Sequence, residues 1–138
     1  MKRALQAIGV LVFAALALGI GVVAASEWGG EVIDLYTRDA AAQEHHTRLW
    51  VVEDDGAWWL RAGTPGSGWL ARIGSGGAVE VQRGGVRAVY RATPERDPAR
   101  RDRTHALMRE KYGGADRLIS LLRDGEQSVP VRLEPLEP

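Results

Sequence analysis

From Ala4 to Ala25 the chain carries no charge and a single polar side chain, Gln6. A helix made of this run has no polar face to offer water, so it does not read as part of a globular core or surface. It is about 30 Å long, enough to cross the hydrocarbon layer of a bilayer. Lys2 and Arg3 precede the run, and Glu27, Glu31 and Asp34 follow it. Positive charge stays on the cytoplasmic side, so the N-terminus is expected inside and everything after Ser26 outside. Residues 1–26 are thus read as an anchor crossing the cytoplasmic membrane through residues 4–25. A cleavable signal peptide is the alternative. Val23-Ala24-Ala25 before Ser26 resembles a small-x-small cleavage site, and the product would then be secreted. Either way residues 31–138 are exported, and their length suits one domain.

The composition narrows what that domain can be. Its formal net charge of zero provides no global field toward nucleic acid or anionic lipid, and no nucleic-acid partner is expected. The chain has no cysteine, which excludes a disulfide framework, thiol chemistry and cysteine-based zinc or haem attachment. Packing alone must hold the fold. Trp50, Trp58, Trp59 and Trp69 lie within a short central stretch and can fill much of a core.

Strands dominate the pattern. Residues 31–37, 47–53, 57–62, 78–83 and 86–92 alternate or are rich in β-branched and aromatic side chains. Asp54-Asp55-Gly56 and Gly84-Gly85 are hairpin signals. The second sets Val81 opposite Ala88 and Val79 opposite Tyr90, which predicts one apolar face. Residues 63–68 form a loop by virtue of three glycines and a proline, and residues 69–73 a helical turn. Thr93 and Pro94 are expected to start a helix that runs to Tyr112 and stops at Gly113-Gly114. Residues 115–122 predict a second helix burying Leu118, Ile119, Leu121 and Leu122. Residues 129–133 predict an edge strand, because Pro130 cannot donate to a ladder. The sum is a mainly β fold, a small barrel with packed helices.

Candidate chemistry is sparse. His45 and His46 are adjacent, and on a strand they point to opposite faces, so no metal site is expected from them. Ser67 has no strand–elbow–helix context for a nucleophile. The glycine-rich loops match neither the P-loop nor the dinucleotide fingerprint. Arg48, Arg61 and Arg72 each stand among apolar or aromatic residues beside a loop, where a guanidinium can bind phosphate in bidentate fashion. The competing reading pairs them with surface carboxylates such as Glu53 or Glu80. Arg96, Arg100, Arg101 and Arg103, interleaved with Asp97 and Asp102, read as a solvated helix face. No general acid or base stands out beyond Tyr36, Tyr90 and Tyr112, and the catalytic residues are left open.

Thr47-Arg48-Leu49-Trp50-Val51-Val52, then Asp55-Gly56, then Trp59-Leu60-Arg61-Ala62-Gly63, then Gly68-Trp69-Leu70-Ala71-Arg72-Ile73 resembles the flavin-binding split-barrel proteins. The nitroreductase-like, deazaflavin-dependent branch and the pyridoxamine phosphate oxidase-like fold are the nearest patterns. The resemblance spans about residues 32–133. It implies a six-stranded split barrel of Greek-key type that carries FMN or a deazaflavin. Carried over, Arg61, Ala62 and Gly63 would touch the cofactor, Trp69 would support its wall, and Arg48 or Arg72 would lie near its phosphate. The functional expectation is a flavin-type oxidoreductase held at the outer face of the membrane, with a homodimer left open. The alternative is a non-catalytic envelope barrel that binds a small hydrophobic ligand or a protein partner.

Overall fold

The computed structural model describes residues 6–18 and 30–136. Residues 6–18 are helical and exposed (α1). Among the described residues no helix is long and apolar enough to cross a membrane. The rest of the apolar run, from residue 19 through the cleavage-like site at residues 23–26, lies outside the described residues.

Seven strands form one curled antiparallel sheet in the order β2-β1-β5-β6-β7-β4-β3. They are β1 (Val32–Arg38), β2 (Glu44–Trp50), β3 (Val52–Asp54), β4 (Ala57–Ala62), β5 (Gly77–Arg83), β6 (Val86–Pro94) and β7 (Val129–Pro135). The sequence predicted six. The extra strand arises because residues 47–53 do not run straight. The chain breaks at Val51, so β2 pairs with β1 while β3 pairs with β4. These two strands are the ends of the sheet order, and they are consecutive in the chain. One bent segment therefore joins the two edges, and the sheet curls on itself as a split barrel.

The β5–β6 hairpin has the predicted register, with Val81 opposite Ala88 and Val79 opposite Tyr90. Gly84 and Gly85 have φ of +56° and +80°, the left-handed pair that a tight two-residue hairpin needs. The apolar face is only half buried: Val79 and Val81 enter the core, whereas Ala88 is exposed.

Two apolar clusters hold the domain. Inside the barrel, Ile33, Leu35, Leu60, Ala62, Val79, Val81, Ala92, Val131 and Leu133 meet Trp69, Leu70 and Ile73 of α2 (Gly68–Ile73). Outside it, Trp50, Val52, Ala57 and Trp59 pack against Met108 and Tyr112 of α3 (Pro98–Tyr112). Strand β4 serves both clusters, with Leu60 and Ala62 turned inward and Trp59 toward α3. Full burial of a side chain of this size contributes about 1.5–3 kcal/mol.

Three sequence expectations fail for physical reasons. Thr93-Pro94 does not open the helix. Both residues stay in the ladder, opposite Arg132 and Val131, and the second proline pair caps α3 instead. Asp97 accepts from the Ala99 N–H at 3.3 Å, and Pro98 takes the first helical position, where no N–H is required.

Strand β7 is central, not an edge, lying between β6 and β4. The β6 ladder ends at Pro94 opposite Val131, one residue short of Pro130, so its missing N–H leaves no partner wanting. The Pro130 carbonyl still accepts from Glu95 N–H at 2.9 Å.

Finally, α4 (Gly114–Ser120) is shorter than predicted and buries Asp116 rather than its leucines. Leu118 and Ile119 are half-buried, while Leu121 and Leu122 are 83 % and 50 % exposed.

Candidate functional site

Two clefts collect the arginines singled out by the sequence, and they lie on different parts of the barrel. The first, of about 300 Å³, runs between β1, β5 and α2. Arg72 and Ile73 of α2, Tyr36 and Thr37 of β1, Val79 of β5 and Val89 of β6 line it. Thr37 is buried, and its Oγ1 accepts from Arg72 Nε at 2.8 Å. Among the described residues Arg72 has no carboxylate partner, so its terminal nitrogens carry an uncompensated charge. Gly68 makes room for it: a Cβ there would lie 3.2 Å from Arg72 Nη1. The other charges on the rim are committed. Arg38 pairs with Glu44 at 3.2 Å, and Glu80 with Arg87 at 2.6 Å. Arg87 also lies over the Tyr36 ring, 3.8 Å from its centroid.

The second cleft is lined by Arg48, Leu49, Trp50, Arg61, Met108 and Ile119 and measures about 70 Å³. That is far below the about 300–1,000 Å³ of small-molecule sites. Arg61 is 11 % exposed and donates to Asp116 Oδ1 at 2.6 Å. Its other nitrogen lies 3.0 Å from His105 Nδ1, while His105 Nε2 lies 2.8 Å from the Gly125 carbonyl. A neutral imidazole with its proton on Nε2 satisfies both contacts at once: Nε2–H donates to the carbonyl, and Nδ1 accepts from the guanidinium. Gly63, at the end of β4, is covered by Arg123, whose guanidinium a Cβ at that position would strike. Arg48 lies 3.9 Å from Asp34.

The structure thus brings Arg48 and Arg61 to one cleft and Arg72 to another. Ala62 and Trp69 belong to the barrel core. Thr37, His105, Asp116 and Arg123, which complete the two sites, were missed. One clue existed for Asp116: it stands three residues before Ile119, on the helix face read as apolar.

Elsewhere the charges are structural. The α3 arginines form a solvated face only in part: Arg103 and Asp102 are exposed, whereas Arg100 is largely covered. Arg100 and Arg103 donate to Asp54 at 2.6 and 2.8 Å and hold its carboxyl below the usual range. The Arg100 guanidinium also covers Trp59 at 4.1 Å. His45 and His46 turn to Asp39 and Asp34 respectively, at 2.8 and 2.6 Å. Among the described residues no cluster of three or more metal-ligating side chains forms.

With this geometry in view, similarity to known proteins lies in the fold. No protein-family model and no curated protein matches the chain. Solved structures do. The conserved hypothetical protein Rv2991 from Mycobacterium tuberculosis superposes with a TM-score of 0.62 at 18 % identity, over 78 % of this chain and 74 % of that one. A candidate pyridoxamine 5'-phosphate oxidase from Listeria innocua gives 0.57 at 13 % identity, over 85 % and 92 %. An F420 reductase gives 0.51 at 15 % identity, over 78 % and 87 %. The fold is the split barrel of pyridoxamine 5'-phosphate oxidase-like proteins, as the sequence resemblance implied.

Proposed function

We propose that the domain binds FMN or a deazaflavin in the Arg72 cleft and works as a flavin-type oxidoreductase. The observation that carries this reading is the uncompensated guanidinium of Arg72, oriented by buried Thr37 in a cleft of about 300 Å³. That volume lies at the lower end of small-molecule sites, about 300–1,000 Å³. The cleft residues fit an anionic group attached to an apolar ring. Arg72 would donate charge-assisted hydrogen bonds to a phosphate, and Thr37 would fix the plane of the fork. Gly68 would keep the guanidinium accessible, while Ile73 and Val89 would exclude water from one side. When bound, the flavin-type ring supplies the electron or hydride transfer itself. The apolar run of residues 4–25 supports placing the domain at the outer face of the cytoplasmic membrane.

The test is titration of the detergent-solubilised full chain with FMN and with a deazaflavin, followed by tryptophan quenching. Arg72→Ala should weaken binding about ten- to hundredfold, the equivalent of a lost charge-assisted contact of about 1.5–3 kcal/mol. Equal affinity of both proteins, or no quenching, would favour a non-catalytic envelope barrel for a hydrophobic ligand or protein partner. One observation favours that second reading: Asp116, His105 and Arg123 close the Arg61–Gly63 end of β4.

A further inference from the structure

We infer that residues 121–127 form a strap over the end of β4, which His105 latches while neutral and releases on acidification. Every residue of the segment is exposed, so little apolar burial holds it in place. Arg123 reaches from the strap across Gly63. Side chains of α3 hold the strap by its backbone. His105 Nε2 bonds the Gly125 carbonyl at 2.8 Å, and Arg101 donates to the Glu126 carbonyl at 2.9 Å. Gly125 lets the imidazole approach: a Cβ there would lie 3.4 Å from Nε2.

The chain has three histidines, and their partners differ in sign. His45 faces Asp39 and His46 faces Asp34, so protonation strengthens both contacts. His105 faces Arg61, whose Nη1 lies 3.0 Å from Nδ1. A guanidinium only donates, and an imidazolium has no acceptor left, so this contact exists only while His105 is neutral. The nearby carboxylates are already engaged. Asp116 of α4 accepts from the other Arg61 nitrogen at 2.6 Å. In the strap, Asp124 accepts from the Glu126 N–H and from the Gln127 side chain. On α3, Asp102 pairs with Arg101 at 3.1 Å. The exposed Glu126 carboxylate is outnumbered by Arg123 and by Arg109, one turn along α3 from His105. The buried Asp116 holds Arg61 in place, so the imidazolium is the group that turns away, and the Gly125 carbonyl loses its donor. An imidazole is the side chain that changes charge between about pH 5 and 8. Release uncovers Gly63 and the Arg61–Asp116 pair. The device involves neither the Arg72 cleft nor the apolar N-terminal run.

The test is amide hydrogen exchange of the full chain in detergent, read by mass spectrometry at about pH 7.5 and about pH 5.5 and corrected for intrinsic rates. Protection of residues 121–128 should fall about tenfold or more at the lower pH, while the β5–β6 hairpin keeps its own. His105→Gln presents one acceptor and one donor that no proton changes, so the fall should disappear. His105→Lys places a permanent cation against Arg61, and the strap should be unprotected at both pH values. Replacing His45 and His46 together with Gln should leave the fall intact. Equal protection of the wild-type strap at both pH values would overturn the inference. So would an undiminished fall in His105→Gln, or a fall shared equally by the hairpin, which would mean that the whole domain loosens in acid.

Discussion

Tyr112 seals the strand break at Val51. The Val51 N–H donates to the Tyr112 hydroxyl at 3.0 Å, and the hydroxyl donates in turn to the Glu31 carbonyl at 2.6 Å. Lys111 Nζ takes the Val51 carbonyl at 2.7 Å. The ring of Tyr112 stacks on Trp50, 4.3 Å between centroids and 6° from parallel. A barrel corner leaves a backbone N–H and C=O without ladder partners, and here the last turn of α3 supplies both.

Replacing Tyr112 with Phe keeps the stack and removes the hydroxyl, leaving a buried N–H unpaired. Urea unfolding should show a loss of about 1–3 kcal/mol with an unchanged m-value. Unchanged stability would mean that water or another group takes over the corner.

Burial pushes the Tyr112 hydroxyl up to about 12 from an ordinary 10.0, and the Glu31 charge adds to it. The neutral form is favoured in the folded state. Its contribution is therefore complete below pH about 10 and is lost as pH rises toward about 12. In alkaline melts the gap between wild type and Tyr112→Phe should close across that window.

Glu31 behaves in the opposite sense. The hydrogen bond from Arg83, with help from Lys111, lowers its carboxyl from 4.5 to about 2. That contribution is present above pH about 4.5 and is lost as pH falls toward about 2. Glu31→Gln should flatten the acid side of the stability profile, as followed by circular dichroism, and weaken the alkaline dependence carried by Tyr112, whose hydroxyl the Glu31 charge helps to raise.

Asp116 and Arg61 form a buried pair. Asp116→Ala would leave a guanidinium in a site 11 % exposed, at a cost of about 3–5 kcal/mol. The double variant Asp116→Ala with Arg61→Met should recover much of that loss. A double-mutant cycle with no coupling would show that solvent reaches the pair.

Gly85 has φ of +80°, where an L side chain is strained. Gly85→Ala should cost upwards of about 1 kcal/mol without altering the fold, and thermal unfolding checks it.

Much of the barrel was legible because its signals are local. Gly84-Gly85 imposes a left-handed turn, the turn sets the register, and Val81 then meets Ala88 whatever the rest of the chain does. Strand β4 and α2 were readable from apolar content bounded by glycines. The break at Val51 was not, since it is imposed by closure of the sheet and stabilised by a residue 61 positions away. Thr93-Pro94 and Asp97-Pro98 are equally good helix starts by local rules. Only the pairing of Thr93 with Arg132 chose between them.

The sequence by itself determined the composition of the core, the hairpins, the absence of disulfides and the apolar N-terminal run. It also marked three arginines, but not which one keeps a free charge. That depended on which carboxylates the fold carries to each guanidinium. Asp116 reaches Arg61 across 55 residues of chain, whereas among the described residues Arg72 meets the Thr37 hydroxyl and no carboxylate. Ion pairing acts over a few ångströms in space and is indifferent to separation along the chain, so tertiary structure alone decided which guanidinium is left without a carboxylate among the described residues.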